Sequence, residues 1–117
     1  MSDLPLKQLQ NQVAGWGVAT FGRQPAHLIG ARMNVEVAEL LLAFDALDQA
    51  ILPGDYERAV KALGEECADV AIMLLQVAAA LHVDLGEQIA RKMEINRKRV
   101  WTRTRNGKVQ HSEEDAS

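Results

Sequence analysis

Two acidic couplets, Glu36-Val37-Ala38-Glu39 and Glu66-Cys67-Ala68-Asp69, flank the dipeptide Pro53-Gly54 almost symmetrically. Residues three apart share a helix face, so each couplet sets two carboxylates side by side. Pro-Gly is the strongest turn signal in the chain. Two helices folded back on one another there bring both couplets to one height, roughly 20 Å from the hairpin end at about 1.5 Å rise per residue. Four carboxylates then converge. Like charges so close repel unless something positive neutralises them. Oxygen ligands select a hard divalent cation, Mg²⁺ with Mn²⁺ as a substitute.

Composition narrows the class. The 117 residues suit one domain. Aromatic content of 4% leaves an aliphatic core, which favours packed helices over a β-sandwich. A net charge of −3 argues against a general polyanion binder, so a phosphate-bearing ligand needs metal ions or a local basic patch. Zinc lacks a Cys/His ligand pattern. A di-iron site wants Glu-x-x-His, and His27, His82 and His111 occupy no such position. The sequence holds no nucleophilic triad, Walker motif or glycine-rich dinucleotide loop. The lone Cys67 suggests a reducing compartment. Residues 1–5 lack a basic segment followed by an apolar run. Val70–Leu81 contains Gln76 and is too short to span a bilayer. A soluble, cytoplasmic protein is expected.

Helical periodicity predicts an all-α, four-helix bundle-like protomer, with helices at about 5–20, 26–50, 56–82 and 85–101. These form a single domain over 1–101, and 102–117 is a polar tail without periodicity. The expected core stripes are Leu6, Leu9, Val13 and Trp16, then Leu28, Ala31, Val35, Ala38, Leu42 and Ala46. In the third helix they are Val60, Leu63, Cys67, Val70, Leu74, Val77 and Leu81, and in the fourth Leu85, Ile89, Met93 and Val100. Glu36 and Glu39 fall beside their stripe, at the edge of the core. Asp55 is the expected N-cap of the third helix. From Val70 onward that helix is apolar almost all round, which predicts a homodimer or homotetramer through it. On the fourth helix Lys92, Asn96, Arg99 and Arg103 share a face, with Asn96 returning to about the height of Asp69. A cation and an amide would face the carboxylates there and hold a polyphosphate. Trp16 and Phe21 are either core plugs or an aromatic wall for a nucleobase.

Taken together, Glu36-x-x-Glu39, Glu66-x-x-Asp69, Lys92 and Asn96 resemble the MazG-like all-α nucleoside triphosphate pyrophosphohydrolases. The likeness extends to Glu65–Ile72, to Val83–Arg99 and to Gln24-Pro25, the last two nearest the dCTP pyrophosphatase branch. It implies hydrolysis of a (deoxy)nucleoside triphosphate to the monophosphate and pyrophosphate, for pool control or house-cleaning. It implies Mg²⁺ on Glu36, Glu39, Glu66 and Asp69, Lys92 and Asn96 on phosphates, and a helical dimer or dimer of dimers. Two positions depart from the pattern. Val35 stands where many members carry a further glutamate, leaving open which carboxylate orients the attacking water. The segment Phe44–Asp48 lacks the aromatic of the dCTP branch, so base preference does not carry over. Trp16, Phe21 and His27 are candidates for base contact. The competing readings are a non-catalytic helical interaction module and a nucleic-acid binder using the basic strip Arg97–Arg105. The negative net charge disfavours the second.

Overall fold

The computed structural model describes residues 5–99, 101–103 and 109–111. Four helices follow in order: α1 (Leu6–Phe21), α2 (Ala26–Asp48), α3 (Pro53–Ala80) and α4 (Leu85–Lys98). The all-α bundle expectation holds. A short antiparallel hairpin of β1 (Trp101–Arg103) and β2 (Val109–His111) follows, with Trp101 paired to His111 and Arg103 to Val109. The chain divides into two compact units, Met1–Leu85 and Gly86–Ser117.

In the first unit α2 and α3 pack along one another as an antiparallel hairpin, and α1 lies against α3. The turn is tighter than the sequence suggested. Pro53 and Gly54 are already helical, because proline at the first helical position gives up only an N–H that would be unpaired there. Asp55 is therefore not the N-cap. It is the third residue of the helix, and its carboxylate accepts the N–H of the N-cap residue Leu52 at 3.4 Å and pairs with Arg58. Gly22, at φ 77°, ends α1 with its N–H on the Val18 carbonyl at 2.8 Å. α3 ends in a Schellman turn: His82 N–H reaches the Ala79 carbonyl at 3.0 Å and Val83 N–H the Ala78 carbonyl at 2.9 Å. His82 takes the left-handed position usually given to glycine, at φ 57°.

The inward face of α2 differs from the expected stripe by one position, and that of α3 agrees at Leu63, Val70 and Val77 and differs elsewhere. On α2 the inward side carries Ile29, Met33, Glu36, Leu40, Ala43 and Leu47, while Leu28, Val35 and Leu42 face outward. On α3 it carries Ala59, Leu63, Glu66, Val70 and Met73, while Val60, Cys67, Leu74 and Leu81 are exposed. On α1, Gln10 and Gly17 are buried, with Leu6, Leu9 and Trp16 exposed. Both glutamates that begin a couplet thus lie on the packed face rather than beside it.

The second unit, described by itself, comprises most of α4 and the hairpin. α4 ends at Lys98 rather than near 101, so Arg103 belongs to β1 and leaves the expected helical face. Ile89, Met93 and Ile95 are exposed; Val100 lies outside the described residues. Among the described residues no single helix is long and apolar enough to cross a membrane.

Candidate active site

Antiparallel packing of α2 on α3 brings the couplets together as their spacing requires. One carboxylate oxygen from each of Glu36, Glu39 and Glu66 lies within 4.8 Å of the others. Glu36 and Glu66 are half-buried and Glu39 is exposed. Asp69 is not among the oxygens within that span. It is exposed on the next turn of α3, near enough for its charge to act on both half-buried glutamates. Burial, followed by the charges of Glu39 and Asp69, pushes the Glu36 carboxyl above its ordinary value. The same causes in the same order, with Glu65 after them, push Glu66 up. The Oε2 atom of Glu66 is buried and meets no hydrogen-bond partner. Three glutamates offer oxygens crowded this closely, and one of the three, Glu66, has a sealed, unbonded carboxylate oxygen; among the described residues no positive charge is paired with them. A divalent cation with oxygen ligands fits that donor set.

Ten residues were expected at the site. Glu36, Glu39 and Glu66 meet, and Asp69 flanks them. Lys92 and Asn96 share one face of α4, in the second unit, with Lys92 exposed and Asn96 half-buried; Arg99, half-buried, follows just past the end of the helix at Lys98. The three base-contact candidates separate. Trp16 and Phe21 form an edge-to-face pair with centroids 5.6 Å apart. Phe21 lines a cavity of about 530 Å³ between the end of α1, the start of α2 and the end of α3. Trp16 instead lines a smaller recess of about 250 Å³ with Leu9, Gln12, Val13 and Ile72. His27 is exposed and lines neither.

Three further residues were not expected, and of these only Gln76 lines the cavity. Arg32 stacks its guanidinium 5.2 Å above the Phe21 ring and donates to Gln24 Oε1 at 2.8 Å, tying the α1–α2 loop to α2. Gln76 lines the opposite wall and is only 8% exposed. Gln10, 3% exposed, uses both ends of its amide: Nε2 donates to the Val83 carbonyl at 2.7 Å, and Oε1 accepts the Leu85 N–H at 3.0 Å. The sequence did carry a signal for Gln76, as the one polar residue in an apolar run. Arg32 had none, because an arginine on a helix is ordinarily a solvated surface residue.

The chain is similar to two phage proteins named dATP/dGTP diphosphohydrolase. One, from Salmonella phage PMBT28, is 34% identical over 109 residues, 91% of this chain; the chain spans only 31% of that relative's length. The other, from Cyanophage S-2L, is 33% identical over 105 residues, covering 89% of this chain and 85% of the relative. Among solved structures, the Cyanophage S-2L MazG-like pyrophosphohydrolase bound to dGDP and three catalytic Mn²⁺ ions per active site superposes with a TM-score of 0.56. Its identity to this chain is 28%, over 93% of this chain and 98% of that one. No protein-family model matches the chain.

Proposed function

The chain belongs to the MazG-like pyrophosphohydrolase family, and from that membership we propose that it hydrolyses deoxynucleoside triphosphates between the α and β phosphates, releasing the monophosphate and pyrophosphate. The observation that carries this is the convergence of Glu36, Glu39 and Glu66 with a sealed, unbonded Glu66 oxygen. Purine substrates are favoured, because the relatives are named for dATP and dGTP.

Glu36, Glu39 and Glu66, with Asp69 beside them, would hold the divalent cation. Bound there, Mg²⁺ or Mn²⁺ neutralises phosphate charge and lowers the pKa of a coordinated water. α2 and α3 fix the carboxylates from a packed face, so little reorganisation is needed when charge develops. Lys92, Asn96 and Arg99 are assigned to the phosphates on the strength of the family's closing-helix pattern. The cavity beside Phe21 is assigned to the base. Its volume lies within the usual range of small-molecule sites, about 300–1,000 Å³. Trp16 and His27 face elsewhere and are secondary candidates.

A dimer or tetramer is part of the same proposal; α3, expected to form the contact, buries Met73, Leu75 and Ala78 within the protomer and leaves Leu74 and Leu81 exposed, while Val35 and Leu42 stand 59% and 68% exposed on one outward stripe of α2. The functional domain is taken as 1–101. The test is pyrophosphate release from a panel of the common nucleoside triphosphates with Mg²⁺ or Mn²⁺. Release from dGTP or dATP that stops on chelation is the expected result; release from none of them rejects the proposal.

A further inference from the structure

Gln76 is the anomaly of α3. It is the sole polar residue between Val70 and Leu81, it is more than nine-tenths buried, and it lines the cavity beside Phe21. Its carboxamide makes no hydrogen bond to any described residue, and neither of its polar atoms is sealed. Gln10, buried in the same helix pair, shows the contrast: its amide is consumed at both ends in holding the Val83–Leu85 backbone. An amide on a cavity wall that is neither sealed nor held by a protein partner is available to a ligand seated there.

α1 is cut away to make room for this group. A Cβ at Gly17 would lie 2.6 Å from Gln76 Nε2 and 3.3 Å from its carboxamide carbon. The amide is therefore pressed between the α1 backbone and the cavity. Register then relates the cavity to the carboxylates. Gln76 follows Asp69 by seven residues, which is two turns along one face and about 10 Å. Ile29, on another wall, precedes Glu36 by the same seven residues on the paired helix. The cavity thus lies about two helical turns, about 10 Å, beyond Glu36 and Asp69 along the α2–α3 pair, an offset comparable to a sugar and its 5′ phosphate.

We infer that Gln76 is the residue that reads the base: its carboxamide bonds the edge of a purine seated in the cavity. The inference rests on the nucleotide hydrolysis proposed above. A carboxamide carries a donor and an acceptor on one rotor. It can turn Oε1 to the N6 amino group of adenine with Nε2 on N7, or present Nε2 to O6 and N7 of guanine. One residue would then accept both purines without discriminating amino from oxo, which a carboxylate or a lysine at this position cannot do.

The experiment compares wild type with Gln76→Leu and Gln76→Glu on dATP, dGTP and the triphosphate of unsubstituted purine deoxyriboside, which lacks the exocyclic group. Wild type should favour dATP and dGTP over the unsubstituted purine by about tenfold in kcat/KM. Gln76→Leu should lose about that factor on dATP and dGTP, mainly in KM, and lose less on the unsubstituted purine, which offers the amide only N7. Gln76→Glu, an acceptor only, should retain dATP better than dGTP. A uniform fall on all three substrates, or an unchanged preference in both variants, overturns the inference while leaving hydrolysis intact. Wild-type protein that releases pyrophosphate from none of them overturns the hydrolysis proposal and this inference with it.

Discussion

At the residue scale the chemistry rests on Glu66. Its Oε2 is sealed and unbonded, and burial with the charges of Glu39, Asp69 and Glu65 raises its carboxyl above the ordinary 4.5. Glu36 is raised for similar reasons. A raised acid binds more protons folded than unfolded, so its contribution to stability falls as pH climbs from the ordinary carboxylate value through the raised one. Metal-free protein should therefore gain stability from this pair on mild acidification, and Glu66→Gln should flatten that dependence and raise the urea midpoint at pH 7. The same variant should lose more than about a hundredfold in metal-dependent turnover, since even groups behind a ligand are worth about 10–100-fold. A second residue-scale prediction concerns His82. It holds a left-handed backbone at φ 57° that costs most residues about 1–2 kcal/mol. His82→Gly should stabilise the fold by about 1 kcal/mol, read from denaturant midpoints at unchanged slope.

At the element scale, α2 and α3 explain both what the sequence disclosed and what it concealed. The couplets, the Pro-Gly turn and the antiparallel register were legible, because i,i+3 acidic pairs equidistant from a turn have one simple folded arrangement. Helix existence was legible too, and the limits moved by only a few residues. Which face turns inward was not. Both helices are apolar on more than one side, so the stripe through Val35 and Leu42 fits a helical period as well as the stripe through Met33, Leu40 and Leu47. Packing chose the second, and with it drew Glu36 and Glu66 onto the buried side. A count of apolar residues resists placing glutamates there, although a cation-binding groove requires it. The hairpin Trp101–Arg103 with Val109–His111 was missed because three-residue strands are too short to show a period. The outward stripe on α2 supplies its own test. If a second copy covers Leu42, then Leu42→Lys should convert the assembled protein to monomer in sedimentation velocity while circular dichroism keeps its helical signal. A monomeric wild type would remove this part of the proposal.

At the scale of the whole molecule, the proposed hydrolase rests on the carboxylates of α2 and α3 and the cavity beside Phe21, both within the first unit. Cation binding should couple to folding, because the oxygens that repel one another in the free protein are the ligands. At about one hundred times Kd, Mn²⁺ should stabilise the protein by about 2.7 kcal/mol at pH 7. The effect should fade as acid protonates Glu36 and Glu66. The most direct measurement follows both products of dGTP and dATP turnover by wild type and Glu66→Gln, with Mn²⁺ or Mg²⁺ and with chelator. The account predicts equal amounts of deoxynucleoside monophosphate and pyrophosphate from wild type with metal. It predicts none with chelator, and almost none from a Glu66→Gln protein that keeps its helical content. Turnover that survives chelation, orthophosphate as the released product, or full activity in Glu66→Gln would contradict it.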